Sequence, residues 1–184
     1  MTEKDKTRKS VEWGVITVVA VLLALSIRMF VIEPRLVQMS SMFPTIEDGD
    51  FVLVNKLAYA TNSPKRNDII VFEPANSAGD DYIKRIVGLP GEWIEVAGGH
   101  VTINGVELTE AGNFNFIEPE GGLPNPEDPK NQVGVRLQED EFYVLGDNSS
   151  QSRDSRAFGP IKGNQIIGRA FITFMPINRV HILP

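Results

Sequence analysis

Ser41 and Lys84 are the residues of this chain best placed to do chemistry. Ser41 opens S-M-F-P-T (41–45), and Lys84 lies in Y-I-K-R-I-V-G-L-P-G-E (82–92). A serine hydroxyl is a poor nucleophile until a nearby base takes its proton. Lysine can be that base only when neutral, so its ordinary pKa of about 10.4 must fall by several units, which burial among apolar groups achieves. Strand alternation puts Tyr82, Lys84 and Ile86 on one face, so Lys84 points with apolar side chains toward the core while Arg85 points away and stays charged. Such a pair supports acyl transfer: attack on a carbonyl, a covalent intermediate, then release by water. A third block, G-D-N-S-S-Q-S-R-D-S-R-A-F-G-P-I (146–161), adds polar residues that read as buried.

Other chemistries fare worse. The chain has 184 residues and no cysteine, which removes thiol nucleophiles, Cys-ligated zinc and disulfides. Its two histidines, His100 and His181, lack acidic or His-rich surroundings, so both read as structural or solvent-exposed and no metal or cofactor is implied. The net charge of −6 is uneven: residues 1–10 carry +2 and residues 33–184 carry −8. An acidic domain argues against nucleic acid as a partner.

The elements that must position the pair begin with an apolar stretch. Residues 13–27 hold no charge, and Met29 to Ile32 continue the run with Arg28 as the single interruption. About 20 residues at ~1.5 Å each span ~30 Å, the thickness of a bilayer core. Arg28 can snorkel to the headgroups, Trp13 suits the near interface, and the basic tail at 1–12 predicts an inside N-terminus. A transmembrane helix over 13–32 is therefore expected, nine positions before Ser41. Two other readings stay open: a cleavable signal peptide ending at Ala24-Leu25-Ser26, and a buried helix.

After Pro34 the helical period disappears, and short β-branched runs alternate with turn residues. The expected fold is mainly β: one N-terminal transmembrane helix, then an antiparallel β domain over 33–184. Strands are expected at 51–55, 68–72, 82–87, 93–96, 100–103, 106–108, 141–145, 166–174 and 180–183. Asn104-Gly105 signals a hairpin, and Leu89-Pro90-Gly91 fits a type II turn. Residues 110–136, rich in Gly, Pro and acidic side chains, read as an irregular insertion.

The order of apolar span, S-M-F-P-T, N-D-I-I-V-F-E-P (67–74), K-R-I-V-G-L-P-G-E and G-D-N-x-x-x-S-x-D-S-R-x-x-G resembles bacterial type I signal peptidases (leader peptidases), particularly the shorter single-span members. The resemblance runs from the span to about Ile161, and E-P-R (33–35) is similar to that family's approach to the catalytic block. It implies a membrane-anchored serine endopeptidase with Ser41 as nucleophile and Lys84 as general base. Ser152 would hydrogen-bond and orient Lys84, and Asp147, Asp154 and Arg156 would brace the site. The implied reaction removes signal peptides from secreted preproteins after Ala-x-Ala-like sites. Substrate would lie extended beside residues 80–84, with Val37, Met42, Ile46, Tyr82 and Ile83 as candidates for shallow apolar pockets, each equally readable as core. The Ser41 N–H would serve the developing oxyanion. The bilayer and preprotein signal peptides are the implied partners, with the translocation machinery a further candidate. The implied location is the bacterial plasma membrane with the catalytic domain outside, or the thylakoid membrane in a cyanobacterium.

Two positions depart from the family pattern. Met39 stands where some members carry a serine whose hydroxyl helps bind the oxyanion; others have glycine there. Losing such a donor costs about a hundredfold or more in rate. Ser40 would face away in an extended chain. Ser149 replaces the arginine of G-D-N-R, with Arg153 as a candidate substitute for its charge. A catalytically weak paralogue that binds signal peptides is one alternative; another Ser-Lys protease, such as the self-cleaving domains of SOS-type repressors, is a second.

Overall fold

The β-branched runs of the chain build two antiparallel sheets. The computed structural model describes residues 12–23, 25, 31–75, 79–97, 100–108 and 134–184. The larger sheet runs in the order β1 (Ile32–Leu36), β2 (Phe51–Asn55), β11 (Ile166–Met175), β3 (Ile69–Phe72), β4 (Tyr82–Gly88), β9 (Glu141–Leu145) and β10 (Ile161–Lys162), with β12 (His181–Ile182) paired to β11. The smaller sheet runs β7 (Val106–Glu107), β6 (His100–Ile103), β5 (Trp93–Ala97) and β8 (Gly134–Arg136).

Alternation explains the core. On β3, Ile69 and Val71 join a cluster with Val37, Met42, Ile46, Val52 and Val54, while Ile70 and Phe72 join one with Ile86, Phe142 and Val144. The central strands are thus buried on both faces. A third cluster, with Val87, Ile94, Val96, Leu137, Tyr143 and Leu145, fastens the smaller sheet to β4 and β9.

The expected strands are present with their ends shifted by a residue or two, and three more occur. The edge strand β1 contains Pro34, which an edge tolerates because no neighbour needs its missing N–H. β10 is a two-residue pairing too short to leave a pattern. β8 corrects the far boundary of the expected 110–136 insertion: Gly134–Arg136 pair with Trp93–Glu95. Gly134 is needed there, because a Cβ would press against the Trp93 ring. The rest of that insertion, 109–133, lies outside the described residues. Asn104 and Gly105 both take positive φ, 51° and 80°, as the hairpin signal requires.

The expected helix over 13–32 is only partly within the described residues. Residues 12–23 are helical with every side chain exposed, Val31 is in a turn, and Ile32 already belongs to β1. Among the described residues, no helix is long and apolar enough to cross a membrane.

Gly88 closes β4 just after a register shift against β9. A Cβ there would lie 2.8 Å from Ile94 Cδ1, Leu137 Cδ1 and Tyr143 Cβ. Gly88→Ala should therefore destabilise the protein by about 1–3 kcal/mol through overpacking. Urea unfolding measures this; an unchanged midpoint would mean that the cluster has slack at this point.

Candidate active site

Ser41 sits at the head of a tight turn. Phe43 N–H returns to Ser40 O at 3.1 Å and Ile46 N–H to Met42 O at 2.9 Å. Met39, two residues before, has φ of +84°, so the chain kinks ahead of Ser41. The third polar block holds this turn from behind. Asn148 donates its backbone N–H to Ser41 O at 3.0 Å and its side-chain Nδ2 to Ser40 O at 3.1 Å. Gly146 makes the approach feasible, because a Cβ there would collide with Ser152 Oγ and the Ser41 carbonyl.

Lys84 reaches the same point from the centre of β4. Its Nζ lies 2.8 Å from Ser41 Oγ and donates to Ile83 O at 2.8 Å. Tyr82 and Ile86, two residues to either side, pack in one apolar cluster, and Nζ lies 5.5 Å from the Tyr82 ring centroid. Ser41 is 5% exposed and Lys84 3%. Burial pulls the Lys84 pKa from its ordinary 10.5 down to about 8, against an upward pull from Asp154 and Asp147.

Neither carboxylate pairs with Lys84, because each is taken by an arginine. Asp147 receives Arg85 twice, Nε to Oδ1 at 2.8 Å and Nη2 to Oδ2 at 2.6 Å. Asp154 receives Arg156 in the same fashion, at 2.8 Å and 2.7 Å. Asp154 Oδ2 also accepts the Gly146 N–H at 3.0 Å, and Arg156 Nη2 donates to Ser149 O at 2.8 Å. Bidentate Arg–carboxylate pairs hold both partners in fixed geometry.

Several expectations need correction. Arg85 does point away from Lys84, but it is buried against Asp147 instead of meeting solvent. Ser152 does not hydrogen-bond Lys84: its buried Oγ has no partner among the described residues, and the second Nζ contact goes to Ile83 O. Met42 and Ile46 are wholly buried in the core cluster beside Ser41, so neither forms a pocket wall. Arg153 is exposed and Ser149 is buried. His100 contacts Glu107, and His181 contacts Arg179 O; neither lines the cleft at Ser41.

That cleft has a volume of about 550 Å³. One wall is residues 35–39 and the other residues 79–84, with Ser41 and Lys84 among its lining residues. Val37, Tyr82 and Ile83 line it as expected. Asp81 lines it within the expected 80–84 stretch, whereas Arg35 and Met39 line it without having been placed in its walls by sequence reasoning. Arg35 Nη1 contacts Asp81 Oδ2 at 2.7 Å. Asn148 was also missed as a tether of the Ser41 turn, although its place in G-D-N was the available signal.

The profile of the family described as "Signal peptidase, peptidase S26" matches residues 10–175. A "Signal peptidase I" of Leptolyngbya laminosa is 43% identical over 169 residues, covering 88% of this chain and 77% of that protein. "Signal peptidase I T" of Bacillus subtilis is 37% identical over 184 residues, covering 97% and 92%. A crystal structure of a signal peptidase I from Enterococcus faecalis shares 31% identity over 59% of this chain and 97% of that one, with a TM-score of 0.44.

The buried amine has a thermodynamic consequence. The folded pKa of about 8 lies below the ordinary 10.5, so the unfolded chain binds more protons between those values and stability rises with pH across that window. Near neutral pH, holding the ammonium in place costs on the order of 3 kcal/mol. Lys84→Met should therefore raise the melting temperature at pH 7 by a few degrees and remove the rise between pH 8 and 10.5. Calorimetry across pH checks this; a variant less stable than wild type at pH 7 would show that the amine is not a burden.

Proposed function

Because the chain belongs to the signal peptidase family, peptidase S26, and is thus a serine peptidase acting on preprotein signal peptides, we propose that Ser41 is its nucleophile and Lys84 its general base. The observation that carries this reading is the 2.8 Å contact between Lys84 Nζ and Ser41 Oγ, at a lysine whose pKa burial has lowered. The heavy-atom geometry suits either direction of proton transfer.

Neutral Lys84 takes the Ser41 proton as Oγ attacks the scissile carbonyl. The Ser41 N–H, which has no acceptor among the described residues, is the donor available to the developing oxyanion. The lysine ammonium returns its proton to the leaving amine, and the mature protein departs. Water then attacks the acyl-enzyme, giving its proton to Lys84, which passes it to Ser41 Oγ as the ester bond breaks, and the signal peptide leaves with a free carboxylate. The substrate lies extended between residues 35–38 and 80–83. Its small side chains face Val37 and Ile83, which fits Ala-x-Ala sites. Asp147 and Asp154 brace the site through their arginines, and Ser152 Oγ and the Ser41 carbonyl both approach Gly146. The apolar segment that begins at residue 13 and ends before the turn at Val31 anchors the enzyme in the membrane, and its exposed helical residues 13–23 are the part consistent with a lipid-facing helix.

A specific observation favours a slower relative as the second reading. Met39 offers no hydroxyl, and its N–H is held by Asp48 Oδ1 at 2.8 Å. A weak binder of signal peptides would fail to cleave Ala-x-Ala peptides in detergent.

Two outcomes are expected with such a peptide. Ser41→Ala and Lys84→Ala should each remain folded and lose at least ~10³-fold in kcat, since either change disables the nucleophile. In the wild type, kcat/KM should climb about tenfold per pH unit below the Lys84 midpoint of about 8 and level off above it. A flat profile between about pH 6 and 9 would exclude lysine as the base.

A further inference from the structure

A left-handed backbone is unfavourable for any residue with a Cβ, by about 1–2 kcal/mol. Such conformations persist where surrounding contacts over-determine them, and they gather at functional sites. Met39 is in this state, at φ +84°, and its side chain is 64% exposed, so side-chain packing does not impose the conformation. Its backbone is fixed from both sides. Ahead of it, Val37 N–H bonds Asp50 O at 2.8 Å, and Val37 O accepts Gly49 N–H at 3.0 Å. Behind it, Ser40 O accepts Asn148 Nδ2 at 3.1 Å. At the kink itself, Asp48 Oδ1 accepts the Met39 N–H at 2.8 Å.

The kink has a purpose in this geometry. Residues 35–38 run along the cleft as its wall, whereas Ser41 must turn toward Lys84 three residues later. The extended run ends at Met39, and the kink there leads the chain into the turn that carries Ser41.

We propose that Asp48 is a positioning residue: by accepting the Met39 N–H it holds the left-handed kink that lets one short segment both line the substrate cleft and aim Ser41 at Lys84. Asp48 touches neither substrate nor the reacting atoms. It acts through the backbone, and the element it needs is an acceptor oxygen, not a charge. This inference rests on the Ser41–Lys84 reading above.

The test is steady-state kinetics on the Ala-x-Ala peptide with Asp48→Ala, Asp48→Asn and Met39→Gly, singly and as the Met39→Gly/Asp48→Ala double variant. Asp48 is exposed, so the variants should fold, with melting temperatures within a few degrees of wild type. Asp48→Ala should lower kcat roughly 10- to 100-fold, as misplacement of a nucleophile does. The pH midpoint near 8 should not move, because Lys84 is untouched. Asp48→Asn keeps a carbonyl oxygen and should recover most of the loss. Glycine takes positive φ without strain, so the Asp48→Ala penalty should shrink severalfold in the Met39→Gly background. Should Asp48→Ala fail to fold, the Asn variant and the Met39→Gly double variant still decide. Wild-type kcat in Asp48→Ala, an Asn variant as impaired as Ala, or strictly additive effects would each overturn the proposal. An inactive wild type would instead overturn the Ser41–Lys84 reading on which it stands.

Discussion

The structure depends on keeping one amine buried, close to a hydroxyl, and out of any ion pair. Lys84 has two carboxylates near enough to raise its proton affinity, Asp154 and Asp147. If either paired with it, the ammonium would be stabilised and the lysine would cease to be a base at neutral pH. Arg156 and Arg85 prevent this by occupying both carboxylates bidentately. Burial then outweighs the residual attraction. Removing one partner of a buried pair leaves an uncompensated charge, so the four residues form a unit whose members cannot be exchanged singly.

The sheet supplies the stiffness this arrangement needs. β3, β4 and β9 are packed on both faces, and Lys84 projects from the middle one. Ser41 comes from a turn instead, so it must be tied down by contacts from distant parts of the chain. Asn148 and Gly146 do this from one side and the 47–50 loop from the other. Arg179, near the C-terminus, fastens that loop through the buried Asp50, with Nη2 to Oδ1 at 2.7 Å. The site therefore breaks local rules at Lys84 and at Met39, and well-packed strands around it absorb the unfavourable energy.

Much of the strand pattern was legible because alternation and turn chemistry are local: Asn104-Gly105 announces its hairpin unaided. The burial of Lys84 was also legible, since alternation places it among apolar neighbours, and its pairing with Ser41 was legible through the order of blocks that resembles the family. What sequence could not show were long-range pairings. Gly134–Arg136 reads as loop until Trp93 covers it, and β1 reads as linker until β2 pairs with it. Met42 and Ile46 read equally as pocket or core, and only the packing beneath Ser41 assigns them to the core. The burial of Arg85 depends on Asp147, 62 residues away.

The most direct test is a titration of Lys84 itself in the resting protein. Carbon-13 and nitrogen-15 NMR of the lysine side chains, with the Lys84 signal assigned by its absence in Lys84→Met, would follow Cε and Nζ from pH 6 to pH 11. The account predicts a midpoint of about 8 for Lys84, below its ordinary 10.5. A Lys84 midpoint at or above 10.5 would contradict it, because the amine would then be protonated wherever the enzyme works.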